Sequence, residues 1–585
     1  MRQGAEKQVV GFRHGAADVV PEVLSGFKLF KIKSGYCVAS RFDMIAYCIE
    51  YYLIEHRCRT AGDPPRRQRN FKKSVEFSEK RIDAYYIELS SISKGADVTS
   101  NNAYGITGFG GYIPRLRMER SAIAAAHKWM APALRSAAKG RRAFCNWDED
   151  SITMAVEAAR DALNQKQSGA IANIAKVFLA STTLPFADML NASVVCGALD
   201  FPAKVRALDI GQTQRAGTSA LLAALLEAGG PALVVASDRP RGKPASTQEI
   251  GFGAGAAAFT LGSDNVVADF LGFSSSTSAF VDHFRSSDNK YDYFWEERWI
   301  RDEGYLKIVP PVAAAALENA GVKAEDIKHF IMSTPFKGVA SALARKIGLY
   351  AGCESDGLEE HCGYAGAAHA LLMLSHVLQK CQPGELILVI GFGQGCDALV
   401  FRATDAVGGF QPVRGIAGAL ADAQAHDSYL RMLAYDDGID LEWGMRSEKN
   451  TKTSLSEQYR SSGQIAGFVA GKCKKCGTVQ FPQLAYCVAP SCHAGSDNFE
   501  PVPLRDVPCK VLTYTADWLS YHPAPPLYVG FVQFENGARL LMETVDVGAQ
   551  ALEKDMPLRV VYRIKEIDKA RGYRRYFWKT TPLQA

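Results

Sequence analysis

The stretch Val205–Leu226, VRALDIGQTQRAGTSALLAALL, places the tightest constraint on the fold. A short apolar run, Ala207–Ile210, breaks into a polar turn, Gly211–Arg215, and then into Ala216–Leu226, which is rich in helix formers and has no proline. That order reads as strand, sharp turn, helix. A turn of this kind holds one side chain at a helix N-terminus, where unpaired N–H groups and the positive end of the helix dipole favour an anion. A thiolate would be activated there and an oxyanion stabilised. The turn, however, carries Gln214 and Arg215 and no Cys, Ser or Lys.

The remainder of residues 103–403 alternates between strand and helix patterns. VFLAST (Val177–Thr182) and ALVVAS (Ala232–Ser237) read as buried strands, and GAGAAAFTLG (Gly253–Gly262) as a third whose small residues allow close packing. WDEDSITMAVEAARDAL opens with Asp150 as an N-cap, and Asp148 and Glu149 sit at the favourable end of the dipole. A second series follows: Ile327–Ser333, helices over Gly338–Ile347 and Ala367–Leu378, the strand Glu385–Ile390, then GFGQGCDALVFRA. Two βα-rich series of similar order, 103–265 and 266–403, predict an α/β fold with internal duplication and sheets layered between helices.

Residues 1–100 differ in texture. Phe42–Tyr52 fits a short amphipathic helix, but RCRTAGDPPRRQRNFKK is basic and broken by proline, so this segment reads as an extension of unknown fold or poor order. Residues 404–464 read as a linker with one helix near Tyr429–Leu433.

Within 465–500, Cys473, Cys476, Cys487 and Cys492 form C-x2-C-x10-C-x4-C. Two close pairs can close on one tetrahedral zinc, and four thiolates leave no open position, so the ion would be structural. Scattered core cysteines are the plainer alternative. Residues 501–585 alternate apolar and polar residues around a Glu-Asn-Gly turn at 535–537, which predicts a small antiparallel barrel. Tyr573–Trp578 mixes basic and aromatic residues, which reads either as a base-stacking face or as plain strand alternation.

Composition excludes several classes. With 47% hydrophobic and 22% charged residues the chain is of ordinary globular type, and a net charge of +5 argues against nucleic acid as a partner. No run approaches the ~20 apolar residues of a membrane span, and the expectation is a cytoplasmic protein without a membrane partner.

GGYIPRLR (110–117), DEDSITMAVEAA (148–159), AGTSA (216–220), STPF (333–336), GYAGAAHA (363–370) and GFGQG (391–395) together resemble the thiolase superfamily. The branch is that of hydroxymethylglutaryl-CoA synthases and ketoacyl-ACP synthases III. The segment 460–580 resembles an acyl-CoA-associated unit made of a rubredoxin-like zinc ribbon and an oligonucleotide-binding-type (OB) barrel. The resemblance implies a duplicated αβαβα domain, a CoA thioester as substrate and a homodimer. It also implies formation or cleavage of a C–C bond next to the thioester, by acyl transfer, decarboxylation or retro-aldol cleavage.

The family's acylated cysteine falls on Gln214, its histidine on Ser333, its asparagine on Tyr364 and its glutamate on Thr182. A noncovalent scheme then has Gln214 and Arg215 hold an oxyanion or carboxylate, Tyr364 carry a proton, and His369 act as acid or base. For His369 a hydrogen-bonded histidine at a helix start is an equal alternative. Gly393 and Gly395 belong to the loop that lines the oxyanion region, and Arg115 is a substrate-binding candidate. Cys396 and Cys196 are the thiols considered as displaced nucleophiles, with buried packing as the plainer reading. His283 lies in a charged, aromatic insertion that reads either as a cap on the tunnel or, by default, as surface packing. The rival to an enzyme is a non-catalytic acyl-CoA-binding scaffold that partners another thiolase-like subunit.

Overall fold

The computed structural model describes residues 104–163, 173–227, 229–448, 452–548 and 551–583. The helix expected at Phe42–Tyr52, like the whole 1–100 extension, lies outside the described residues.

A nine-stranded mixed sheet organises residues 104–403. Its first five strands are β1 (Gly105–Tyr112), β2 (Lys176–Ala180), β3 (Arg206–Ile210), β4 (Ala232–Asp238) and β5 (Gly255–Gly262). The other four are β6 (Ala268–Thr277), β7 (Ile327–Met332), β8 (Leu386–Phe392) and β9 (Gly395–Ala403). The spatial order is β7-β8-β9-β6-β1-β5-β4-β2-β3. β2 is parallel to β4, which is antiparallel to β5, which is antiparallel to β1. The second series repeats this: β7 is parallel to β8, which is antiparallel to β9, which is antiparallel to β6. The duplication expected from the sequence is therefore present in the pairing itself. Only the counterpart of β3 is missing, and a single parallel bridge between Phe330 and Glu354 stands in its place.

Helices cover the sheet from outside and lie between its two halves. α1 (Ser151–Leu163) covers the outer face of β1, β4 and β5, and α2 (Ala216–Leu226) lies between the two halves. α3 (Leu306–Ala320) and α4 (Val339–Ile347) lie on the far side, with α3 packed on β6, β8 and β9. α5 (His369–Leu378) is buried along its whole length beside α2. One apolar cluster fills the space between the halves, drawing Leu221 and Leu225 from α2 and Leu371, Met373 and Leu374 from α5. α3 was not legible in the sequence, because Pro310 and Pro311 ordinarily end a helix. Pro310 has no N–H for the Leu306 carbonyl, and Lys346 Nζ donates to that oxygen at 2.7 Å instead.

The segment 404–464 is more than the expected linker. Gly415–Ala421 is a helix whose Ile416 enters the central core, and Gln424–His426 pairs parallel with the strand Leu116–Glu119. The helix near Tyr429 is present and runs to Tyr435.

Residues 469–503 form a three-stranded antiparallel sheet, that of the ribbon, and residues 509–582 a six-stranded one. The hairpin at Glu-Asn-Gly joins Leu527–Phe534 to Arg539–Glu543, with Gly537 at φ +90°. The strand Tyr573–Pro582 turns Arg574, Tyr576 and Lys579 onto the start of α1. Arg574 Nη1 and Tyr576 Oη both reach Asp150 Oδ2 at 2.7 Å, and Lys579 Nζ reaches Asp148 Oδ2 at 2.9 Å. Glu149 pairs with Arg563, and Asp150 Oδ1 accepts the N–H groups of Ile152 and Thr153 at 3.0 Å. The acidic triplet thus caps α1 and also joins the two parts of the chain, and it occupies Arg574 and Tyr576 of the basic and aromatic stretch.

Candidate functional site

The turn Gly211–Arg215 connects β3 to α2 as the sequence predicts, with Arg215 as N-cap. Gln214 is buried at the helix start and lines a cleft of about 710 Å³. Its Oε1 accepts from Tyr364 Oη at 3.5 Å, and its Nε2 has no protein partner among the described residues. An amide donor is therefore aimed at the cleft from the positive end of a helix. Tyr364 lies behind Gln214 rather than in the cleft lining. Burial, then the neighbouring Tyr305 and the charges of Asp282 and Asp238, hold its phenol well above its ordinary pKa, so it keeps its proton.

Thr182 forms another side of the cleft, beyond the end of β2. Its hydroxyl donates to Asp238 Oδ2 at 2.8 Å, and the same carboxylate accepts the Ala367 N–H at 2.9 Å. Asp238 also accepts from Ser181 and Thr183, and forms no ion pair among the described residues. It ties the loop after β2 to the turn before α5, one from each half of the duplication.

The roof is the insertion that follows β6. A two-stranded ribbon, His283–Phe284 with Tyr293–Phe294, carries His283 over the cleft, stacked on Phe294 with ring centres 5.0 Å apart. Asp282 Oδ2 accepts from His283 Nδ1 at 2.8 Å, and its Oδ1 accepts from Gln394 Nε2 at 2.7 Å. Arg285 ties the ribbon to the carbonyl of Thr182 and to Asp292. Burial would lower the His283 pKa, but the hydrogen bond and charge of Asp282 outweigh it and the net shift is upward. Of the two sequence readings for His283, surface packing is corrected and the cap is the one that fits: the residue is buried and faces Gln214's cleft. The signal available was the adjacent Asp-His pair inside an aromatic insertion.

Several sequence candidates are placed elsewhere. Arg215 turns away from the cleft: its Nη1 binds Asp397 Oδ1 at 2.6 Å and its Nε donates to the Gly393 carbonyl at 3.0 Å. His369 is fully buried; its Nδ1 accepts the Ala365 N–H at 3.1 Å and its Nε2 donates to the Gly357 carbonyl at 2.6 Å. Both ring nitrogens are occupied, and burial lowers its pKa, so it is a neutral structural histidine and not an acid or base.

Ser333, one residue past β7, is buried and outside the cleft lining. Arg115 is buried against Asp422 and the C-terminal sheet, with Nη1 3.0 Å from Thr581 Oγ1, and cannot reach a substrate there. Gly393 and Gly395 do not line the cleft either; Gln394 between them does, held at φ +47°. Gly393 is needed for closeness, since a Cβ there would lie 2.6 Å from Thr213 Oγ1. Cys396 is buried and its thiol pushed up in pKa by that burial, and the Cys196 thiol is pushed up to about 11, so neither is a ready nucleophile.

Away from the cleft, the sulfurs of Cys473, Cys476, Cys487 and Cys492 all lie within 4.8 Å of one another. Cys473 and Cys492 are 3.7 Å apart, and Cys476 and Cys487 3.4 Å. Four thiolates about 2.3 Å from a tetrahedral zinc would be roughly 3.8 Å apart, so the set fits that ion. Gly477 at φ +78° donates its N–H to the Cys473 carbonyl and forms the first knuckle.

Comparison with known proteins finds matches for the core and for the ribbon. Residues 317–402 match the family model described as 3-oxoacyl-[acyl-carrier-protein] synthase III C terminal, and residues 467–500 match the ChsH2 rubredoxin-like zinc ribbon domain. The hydroxymethylglutaryl-CoA synthase of Methanocaldococcus jannaschii is 30% identical over 314 residues, covering 52% of this chain and 90% of that protein. The chain belongs to the hydroxymethylglutaryl-CoA synthase family. The enzyme of the same name from Aeropyrum pernix is 29% identical over 350 residues, 58% of this chain and 94% of its own.

Among solved structures, an HMG-CoA synthase complexed with CoA aligns over 60% of this chain and 95% of its own, at 17% identity and a TM-score of 0.49. The 3-oxoacyl-(acyl carrier protein) synthase III of Pseudomonas aeruginosa aligns over 53% and 99%, at 21% identity and a TM-score of 0.46. The ribbon match, 467–500, lies beyond the segment 317–402 matched by the synthase family, so the chain carries a four-cysteine ribbon after its synthase-like core. Among the described residues no helix is long and apolar enough to cross a membrane.

Proposed function

We propose that the protein is an acyl-CoA enzyme that forms or cleaves a C–C bond next to a thioester without an acyl-enzyme intermediate. The carrying observation is the unpartnered Gln214 amide at the N-terminus of α2, facing the cleft. An amide N–H donated to a thioester oxygen stabilises the negative charge that develops when an α-carbanion forms or a β-bond breaks. Gln214 cannot be acylated as a thiolate can, and the thiols of Cys196 and Cys396 are held protonated. Tyr364, kept as a phenol, fixes the Gln214 carbonyl and so orients its amide.

Zinc held by the four cysteines would be structural, since no coordination position is left for a reactant. The C-terminal sheet, read as an OB-type barrel, and a homodimer complete the proposed assembly. Membership of a synthase family supports an enzyme over a scaffold.

The test is incubation with a panel of acyl-CoAs, including malonyl-CoA and β-hydroxyacyl-CoAs, while following free CoA and product masses. Turnover that is sensitive to Tyr364→Phe supports the reading. Binding across the panel with no turnover would establish the scaffold instead, and an acyl adduct on a cysteine outside the metal cluster would end the noncovalent scheme.

A further inference from the structure

The Asp282–His283 pair is not accounted for by the residues that the family resemblance implies. His283 Nδ1 is bound by Asp282, and its other ring nitrogen, Nε2, has no partner among the described residues. The ring lines the same cleft as Gln214. Asp282 is itself oriented by Gln394, the left-handed residue of the turn between β8 and β9, whose carbonyl also accepts the Ser278 N–H at 3.0 Å. The chain Gln394, Asp282, His283 thus has an orienting group, a carboxylate that fixes the tautomer, and a free imidazole nitrogen at a cleft wall. Stacking on Phe294 and the Arg285 tether to Thr182 hold the ring in place.

We propose that His283 Nε2 is the general base, and in reverse the general acid, for the α-carbon of a CoA thioester bound in the Gln214 cleft. This rests on the acyl-CoA reading above. In the forward step a C–H bond of the α-carbon breaks and its proton goes to Nε2. The electron pair moves into the thioester to give an enolate whose oxygen accepts from the Gln214 amide. No oxidant or other reactant is needed. Asp282 is a positioning residue: it fixes the Nδ1–H tautomer and stabilises the imidazolium that forms. The charged groups around the ring are Asp282 and Asp292, which favour its protonated form, and Arg285, which opposes it; Asp209 is a further carboxylate on the cleft wall.

The experiment uses the full chain with acetyl-CoA and butyryl-CoA in D2O. Deuterium entry at the α-carbon is read by mass spectrometry, and thioester binding by calorimetry. The wild-type protein should exchange the α-protons, and His283→Gln should slow exchange by about 10²–10⁴-fold while still binding the thioester. Asp282→Asn should slow it too, and should move the acid limb of the pH–rate profile to lower pH because His283 loses the charge that raises its pKa. That displacement carries the test if His283→Gln fails to fold.

If the thioesters bind and the wild-type protein does not exchange, or His283→Gln exchanges as fast as wild type, this inference is overturned and the acyl-CoA reading stands. An acid limb unmoved in Asp282→Asn overturns it likewise. If neither thioester binds the wild-type protein, the acyl-CoA reading itself fails.

Discussion

The duplication gives the molecule two equivalent turns, one ahead of each central helix, and it uses them in opposite ways. In the first half the turn Gly211–Arg215 is short and opens on the cleft, and its Gln214 amide is left without a protein partner on the Nε2 side. In the second half the stretch from Gly363 to Ala368 is closed on itself. Gly363 and Gly366 take φ of +80° and +52°, and His369 at the start of α5 binds one backbone group before it and one further back, at Ala365 and Gly357. The lesson is that place in the fold does not determine role. A histidine at the head of a central helix is structural when both its nitrogens are taken, and a glutamine is the candidate functional group when one side of its amide is free.

The largest effect that separates the two turns is expected at Gln214. Gln214→Ala should lower turnover of whichever acyl-CoA the panel identifies by about 10²–10³-fold, the usual loss on removing one oxyanion donor. The midpoint of thermal unfolding should stay close to wild type, because the side chain makes a single long hydrogen bond. Turnover equal to wild type would remove the contrast from its functional side.

His369→Ala should do the reverse, costing roughly 2–4 kcal/mol of stability through a buried cavity and two stranded backbone groups. Denaturant unfolding measures it. The same residue predicts a pH dependence of known sign. Its folded pKa lies below the ordinary 6.5, so the unfolded chain binds the extra proton first. Its contribution is complete above pH 6.5 and is lost as pH falls through the window between 6.5 and the folded value. A stability that rose on acidification through that window would mean the ring is charged in the folded protein.

How much of this was legible follows from the kind of interaction involved. The strand–turn–helix at Val205–Leu226, the strand series and the zinc cysteines are set by local pattern, and the structure has them where that pattern puts them. What the pattern could not supply was partnership across long separations. Arg215 is drawn away by Asp397, and Arg115 by Asp422 and Thr581, all far along the chain. Local pattern leaves His283 open between a tunnel cap and surface packing, because the bond that fixes its carboxylate partner comes from Gln394, more than a hundred residues later. Asp148 and Glu149 were legible as a helix start but not as partners of Lys579 and Arg563. α3 is hidden by two prolines, and the carbonyl that Pro310 strands is satisfied by a lysine on another helix.

Two smaller changes sharpen the contrast between the turns from the backbone side. A Cβ at Gly366 would lie 2.4 Å from Asp238 Oδ2 at a φ of +52°, so Gly366→Ala should cost about 1–3 kcal/mol. It should also disturb the cleft, because Asp238 holds Thr182 as well as Ala367. The first turn stores its strain at Gln212, an exposed non-glycine residue at φ +68°. Gln212→Gly relieves the left-handed penalty of about 1–2 kcal/mol but adds freedom to the unfolded chain, for a net gain of roughly 0.5–1 kcal/mol. Turnover should be unchanged, since Gln214 is fixed by Tyr364 and by the packing of Gly393 against the turn. Greater stability accompanied by lower turnover would mean that the strain at Gln212 helps to aim the amide, and the first turn would then depend on its backbone as much as the second does.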